Sequence, residues 1–184
     1  MTESTRTRIQ SVALELFTEQ GYEKTSLREV AERLGVTKAA LYYHFKSKDE
    51  IVSSLVEDRL TSFDDLIKTA EDLPPTAETR RAILTQYADA FFSSDQPSVM
   101  RFFEQNQTVV KSLAVGKEMR DRLMRVAQLI ARPDTSPAGQ LRAALAIFAV
   151  HSSYFAIRAD LTNDERKSLA LQIAFELLDR IDQA

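Results

Sequence analysis

Hydrophobic residues recur along this chain at the three- and four-residue spacing of α-helices. Leu27, Val30, Ala31 and Leu34 follow this spacing, so they form one apolar stripe on a helix. Comparable stripes continue to the last helix, and the 184 residues include only four Gly and five Pro to interrupt them. The pattern predicts an all-α protein of about nine helices.

Two short helices joined by a tight turn stand out near the start of the chain. Ser26 precedes the first helix and Glu29 follows three positions later, which is the spacing of a capping box. Gly35 is suited to end that helix, and Thr37 to cap the next, which reaches Phe45. This arrangement predicts a helix-turn-helix motif over residues 27–46 with a recognition helix over 37–45.

The second of these helices has two unlike faces. Ala40 and Leu41 are predicted to point towards the first helix. A recognition helix places the N-terminal residues of its other face at base edges in the DNA major groove. Four residues share that other face: Lys38, Ala39, Tyr42 and Tyr43.

Positive charge is concentrated around the motif. Residues 24–48 contain six basic and two acidic side chains, a net charge of +4, whereas the whole chain carries −3. The rest of the chain must therefore be about −7, so the positive field is local to the motif. A local basic patch on a helix-turn-helix indicates a double-stranded DNA partner.

Composition excludes several other classes of protein. The chain has no cysteine, so disulfides and thiolate metal sites are excluded, and we expect no metal and no cofactor. Its first residues lack the apolar core of a signal peptide, and no apolar run could span a bilayer. We therefore expect a soluble, cytoplasmic protein with no membrane partner.

Two segments resemble a known family. Residues 35–51 read G-V-T-K-A-A-L-Y-Y-H-F-K-S-K-D-E-I and closely resemble the recognition helix and following helix start of the TetR family of transcriptional regulators. Residues 13–31 read A-L-E-L-F-T-E-Q-G-Y-E-K-T-S-L-R-E-V-A and resemble its first two helices. The resemblance covers about the first third of the chain. It implies a DNA-binding domain over residues 4–50 and a larger helical ligand-binding and dimerisation domain over 51–184, linked by a fourth helix that begins at residue 48.

The resemblance also implies a set of DNA contacts. Lys38 and Ala39 are the candidates for base readout, because lysine donates to guanine acceptors and an alanine methyl can meet a thymine methyl. Tyr42 and His44 are candidates for phosphate contacts. Thr25 and Ser26 could instead serve only as helix caps. The full set is Thr25, Ser26, Arg28, Thr37, Lys38, Ala39, Tyr42, Tyr43, His44 and Lys48.

The last two helices have the composition of an interface. The eighth, from Pro137 to Ala159, is apolar over most of its circumference, so both sides of it must be covered. Two such helices from each of two subunits can form a four-helix dimer interface, as the resemblance implies, although both could instead complete the core of one monomer. A dimer would read a near-palindromic operator with half-sites about 34–36 Å apart, or a multiple of that distance. The predicted interface residues are Ala149, Ser152, Ser153, Ala156, Ile173, Ala174, Leu177 and Ile181.

The larger domain is rich in aromatic residues interleaved with a few polar ones. Helical bundles place small-ligand cavities between helices, and the resemblance implies an effector bound there. Aromatic residues at helical spacing are also ordinary core, so the pattern alone leaves both possibilities open. The predicted ligand-binding residues are Phe63, Tyr87, Phe91, Phe102, Phe103, Asn106, Ile147, His151 and Tyr154.

These observations predict a DNA-binding regulator and not an enzyme. The chain has no Gly-rich phosphate loop, and its two histidines are far apart in the sequence with no Ser/His/Asp arrangement around them. The expected function is a dimeric repressor that a small apolar or amphipathic effector releases from DNA. The alternative is a transcription factor that responds to a protein partner, or an activator.

Overall fold

The described part of the chain is all-helical, as predicted. A computed structural model describes residues 4–92, 102, 105–134 and 136–181, and these residues form nine helices and no strand. The helices are α1 (Thr5–Gln20), α2 (Leu27–Leu34), α3 (Lys38–His44), α4 (Lys48–Glu71), α5 (Ala77–Phe92), α6 (Gln107–Ser112), α7 (Ala114–Ala131), α8 (Pro137–Ala156) and α9 (Asn163–Asp179).

The turns of the first three helices follow from their caps. Ser26 and Glu29 form the complete capping box at the start of α2. Gly35 ends α2 with a left-handed backbone (φ 73°), and Gly21 ends α1 at φ 93° and ψ 150°. Both conformations favour glycine because a Cβ would strain the backbone.

The chain divides into two compact units whose boundary differs from the predicted one. The N-terminal unit contains the described residues of 1–58 and 96–118, and the C-terminal unit those of 59–95 and 119–184. Residues 105–118, predicted to belong to the larger domain, thus belong to the N-terminal unit. The physical reason is Phe102, which is 0% exposed and lies 5.4 Å from the Phe17 ring and 6.1 Å from the Tyr22 ring, between centroids.

The core of the N-terminal unit unites α1, α2, α3 and the start of α4. Val30 of α2 and Leu41 of α3 are fully buried in it, as is Ile9 of α1. Gln10 of α1 and Ser54 of α4 are polar residues buried in this core. The Gln10 amide donates a hydrogen bond of 2.9 Å to the Ser54 hydroxyl, so each side chain has a partner.

The C-terminal unit is built on a hairpin of α8 and α9, against which α5 packs. The Arg166 guanidinium donates to the carbonyl groups of Ser153, Ile157 and Ala159 where α8 ends. Because these carbonyls lack partners within the helix, Arg166 satisfies them, and α8 stops at Ala156, earlier than the predicted Ala159.

Three arginines bind the C-terminal half of α4 in the same unit. Arg122 of α7 makes two bonds of 2.8 and 2.9 Å to the Asp64 carboxylate, and Arg125 bonds to Glu71. Arg132 donates to the Ala70 carbonyl at 2.9 Å, near the end of α4. Bidentate arginine–carboxylate pairs fix geometry as well as charge, so these bonds orient the C-terminal half of α4 relative to α7. In the described ranges, no helix is both long and apolar enough to cross a bilayer.

We predict that Gly21→Ala lowers the free energy of unfolding by about 1–3 kcal/mol, because Gly21 occupies a backbone region that is almost exclusive to glycine. A Cβ at this position would meet no atom within 4 Å, so backbone strain is the only cost. Chemical denaturation measures the change. The control is Gly35→Asn, which asparagine tolerates in the left-handed region and which we expect to cost less. Equal losses in the two variants would contradict the prediction.

Candidate nucleic-acid interface

One side of α3 is anchored in the core of the N-terminal unit. Leu41 is 0% exposed and Phe45, which follows the helix, is also buried. Ala40 was predicted to point inward with Leu41, but it is exposed. Because α3 has only seven residues, its buried face is narrower than the helical spacing of its residues predicted. The rest of α3 therefore faces solvent.

The exposed side of α3 carries cationic, aromatic and small residues. Lys38 and Ala39 are exposed, and Tyr43 is 81% exposed. The Lys38 ammonium lies 5.3 Å from the centre of the Tyr42 ring, so a cation–π contact supports it. A large aromatic side chain with this exposure contributes nothing to the core and is available to a partner.

Thr37 and Ser26 cap the two helices of the motif. The Thr37 hydroxyl accepts a hydrogen bond of 3.1 Å from the Ala40 amide at the start of α3. Ser26 accepts from the Glu29 amide, and the carboxylate of Glu29 bonds back to Ser26, which lowers the pKa of Glu29. Both the threonine and the serine residue are exposed.

Two predicted DNA contacts are engaged within the protein. Thr25 is 2% exposed, and its hydroxyl donates to the Gly21 carbonyl at 2.9 Å. Lys48 is half-buried and its ammonium donates to the Tyr22 carbonyl at 2.6 Å and the Glu23 carbonyl at 3.3 Å. We therefore remove Thr25 from the proposed DNA contacts and assign Lys48 a supporting role, because its donors already serve backbone carbonyls.

The remaining predicted contacts are accessible. Arg28 forms a 2.7 Å ion pair with Glu32 one helical turn away, and both side chains are mostly exposed, so solvent weakens the pair. His44 is half-buried and packs edge-on against Tyr43 at 5.2 Å between ring centres.

Two basic residues that contact α3 or the residue after it were not in the predicted set. The Arg6 guanidinium lies 4.5 Å above the Phe45 ring, and the Lys46 ammonium donates to the Tyr42 carbonyl at 2.5 Å. The sequence contained a signal for each residue. Arg6 lies at the start of α1, and Lys46 lies within the basic run after α3. Spacing alone did not link either residue to α3.

A second predicted site lies in the C-terminal unit, where rings form what we call the aromatic cluster. Tyr87 is fully buried and hydrogen-bonds through its hydroxyl to His151 Nε2. Its ring stacks 5.4 Å from that of Phe63, and the Phe91 ring stacks 4.8 Å from that of His151. The cluster consists of Phe63, Tyr87, Phe91, Phe92, His151 and Tyr154.

The other predicted ligand residues do not all join this cluster. Ile147 is buried in the same unit. Phe102 and Asn106 belong to the N-terminal unit, where the Asn106 amide donates to the Phe102 carbonyl at 3.0 Å, so we drop both from the proposed site. Phe103 lies outside the described residues.

A separate cleft of about 480 Å³ opens in the C-terminal unit. Of the predicted interface residues, Ile181 lines this cleft and is buried there, which removes it from the proposed dimer contacts. The lining residues are Pro75, Thr76, Ala77, Arg80, Pro133, Asp134 and Ile181.

An apolar strip remains uncovered on the α8–α9 hairpin. Phe148 is 53% exposed and Ile173 is 45% exposed. The predicted interface residues Ser153 and Ala174 are instead buried within the unit. Ala149, Ser152 and Leu177 are half-buried and Ala156 is exposed. We call the following residues the apolar strip: Leu141, Leu145, Phe148, Phe155, Leu169 and Ile173.

Comparisons with known proteins agree with this geometry. Residues 9–55 match the family described as "Bacterial regulatory proteins, tetR family". The chain is 47% identical over 55 residues to the HTH-type transcriptional regulator AcrR of Shigella flexneri. The aligned segment covers 30% of this chain and 26% of AcrR. It is 37% identical over 60 residues to the icaADBC HTH-type negative transcriptional regulator IcaR of Staphylococcus epidermidis. This aligned segment covers 33% of this chain and 32% of IcaR. The matched part thus spans about a third or less of these relatives.

Among solved structures, Mycobacterium smegmatis AmtR has the same fold. It superimposes with a TM-score of 0.73 and 21% identity over 96% of this chain and 86% of AmtR. The N-terminal unit is therefore a helix-turn-helix domain with the family's arrangement of helices. Residues 9–55 of this chain are therefore similar to the tetR family of bacterial regulatory proteins.

Proposed function

We propose that this protein is a DNA-binding transcriptional regulator that acts as a repressor. The observation that carries the proposal is the exposed face of α3, where Lys38, Ala39 and Tyr43 project from a helix anchored by Leu41. No catalytic function is proposed, since the family is one of regulators. Repression is favoured because the relative IcaR is described as a negative regulator.

The face of α3 supports a division of contacts. Lys38 and Ala39 lie in the first turn, where a recognition helix approaches base edges. Tyr43, His44, Ser26 and Arg28 suit phosphate contacts, because hydroxyl, ring N–H and guanidinium groups all donate to phosphate oxygens.

The apolar strip supports a homodimer through α8 and α9. Leu141, Leu145, Phe148 and Phe155 follow one another at spacings of three, four and seven, so they lie along one face of α8. Burying this face against a second copy removes apolar surface from water. Two copies of α3 would then read a near-palindromic operator.

The aromatic cluster supports a small effector that is apolar or amphipathic. Its rings provide flat apolar surface, and the Tyr87–His151 pair provides a polar group among them. An effector that separates these rings would act on Phe63, which belongs to α4. Since α4 begins beside α3, its movement would alter the spacing of the two recognition helices. A preference of about 2–3 kcal/mol for the released state would change DNA occupancy some 30–150-fold.

We predict that Lys38→Ala weakens binding to the operator by about 5- to 150-fold, because a good base contact contributes about 1–3 kcal/mol. The operator is first obtained by selecting bound fragments from random DNA with the wild-type protein. The matched control is Lys68→Ala, which removes an exposed lysine of the C-terminal unit. Equal affinity of the two variants for the operator, measured at one salt concentration, would contradict the assignment.

We predict that Phe148→Asp converts the dimer into a monomer, because the substitution places a charge in the apolar strip that a second copy would have to desolvate. Sedimentation measures the mass. Met124→Asp is the control, since Met124 is 53% exposed on α7 and lies outside the strip. A Phe148→Asp protein that remains dimeric would show that another surface forms the interface.

We predict that a ligand which raises the melting temperature of the free protein lowers its affinity for the operator by about 30-fold or more. The test is a thermal-shift screen with aromatic and amphipathic compounds, followed by a DNA-binding titration at saturating ligand. Tyr87→Phe, which deletes the hydroxyl bonded to His151, is expected to weaken the response. If ligand-saturated protein binds the operator with unchanged affinity, the release mechanism is wrong.

A further inference from the structure

Tyr22 lies in the core of the N-terminal unit, in the segment that joins α1 to α2. Its ring centre is 5.1 Å from that of Phe17 and 6.1 Å from that of Phe102. Phe102 is fully buried, so it is part of this core although it lies far along the chain. Because protein cores are close-packed, the position of Tyr22 depends on Phe102.

The first two residues of α4 also bind Tyr22. The Tyr22 hydroxyl donates a hydrogen bond to the Asp49 carboxylate. The Lys48 ammonium lies 4.4 Å from the centre of the Tyr22 ring and donates to the Tyr22 carbonyl at 2.6 Å. Burial, and then the bond to Asp49, raises the pKa of Tyr22, so its hydroxyl remains a donor at neutral pH.

The start of α4 is in turn bonded to the end of α3. The Lys46 amide donates to the Glu50 carboxylate, and the Glu50 amide donates to the Ser47 hydroxyl at 3.1 Å. The Lys46 ammonium donates to the carbonyl of Tyr42, within α3. The orientation of α3 therefore depends on the start of α4, and through it on Tyr22.

We propose that Tyr22 is a positioning residue for DNA reading: supported by Phe102 and bonded to Asp49, it holds the start of α4 and thereby the orientation of α3. This inference rests on the proposed function of the N-terminal unit. Tyr22 itself touches no DNA in this account. Phe102 lies outside residues 9–55, the segment that matches the family, and completes the core of that segment.

The first experiment removes the hydrogen bond without removing the ring. In the full chain, Tyr22→Phe deletes only the hydroxyl. Asp49→Asn and Asp49→Ala both remove the negative charge of residue 49, but only asparagine keeps an oxygen that can accept the hydrogen bond. We expect Tyr22→Phe to bind the selected operator about tenfold more weakly than wild type, equivalent to about 1.4 kcal/mol. We expect Asp49→Ala to bind it about tenfold more weakly than Asp49→Asn.

Two further measurements distinguish a positioning role of Tyr22 from a general loss of structure or charge. Affinity for random DNA and the salt dependence of binding are expected to stay at wild-type values in Tyr22→Phe, because the phosphate contacts remain. The double variant Tyr22→Phe, Asp49→Ala is expected to bind no more weakly than Asp49→Ala, because both changes break one contact. Additive losses would overturn the link between the two residues.

The second experiment tests the support from Phe102. Phe102→Leu is compared with Leu84→Ala, which removes volume from the core of the C-terminal unit. At unchanged helical content, we expect Phe102→Leu to lose operator affinity and Leu84→Ala to keep it. Hydrogen exchange of the Lys46 amide reports the same link without DNA, and we expect faster exchange in Tyr22→Phe and Phe102→Leu.

Wild-type operator affinity and wild-type Lys46 exchange in both Tyr22→Phe and Phe102→Leu would overturn the proposal. The proposed DNA-binding function fails in a different way, namely when the wild-type protein selects no DNA site. In that case, the Lys46 exchange decides whether Tyr22 fixes the start of α4.

Discussion

The burial of one side of α3 is the constraint on which the N-terminal unit depends. A seven-residue helix is not stable alone in water, so it exists here because Leu41 and Phe45 are inserted into the core formed by α1 and α2. Each such side chain contributes roughly 1.5–3 kcal/mol when it leaves water. Since these two residues face inward, Lys38, Ala39 and Tyr43 must face outward, and the surface proposed to read DNA is a direct consequence of core packing.

The two units share α4, and each binds a different part of it. Tyr22 contacts the first residues of α4, and the three arginines at positions 122, 125 and 132 bond to its C-terminal half. The proposed release mechanism assigns α4 the role of carrying a displacement from the aromatic cluster to α3. In the proposed regulator, the apolar strip of α8 and α9 is the surface assigned to a second copy of the chain.

Local patterns predicted the fold well where the determining residues are close in sequence. Ser26 with Glu29, Gly35 and Thr37 fixed the bounds of α2 and α3 because capping acts over three or four residues. Phe102 was misplaced because its partners, Phe17 and Tyr22, are distant in the chain, and no spacing rule connects them. Thr25 and Lys48 were predicted as DNA contacts from family resemblance, which marks positions but not the bonds that each side chain makes in this protein. The predicted interface set favoured small residues of α8 and α9, whereas the apolar residues left exposed on these helices are large, because helical spacing does not determine which face the hairpin buries.

The most direct test of the central claim is the selection of bound fragments from random DNA by the wild-type protein, with the affinity for the selected site measured at two salt concentrations. We expect a near-palindromic site with half-sites about 34–36 Å apart, one turn of DNA or a multiple of it, and a steep salt dependence in which each phosphate contact contributes about −0.9 to the slope. Weak binding with no preferred sequence would contradict it, because the exposed face of α3 would then have no role in reading DNA.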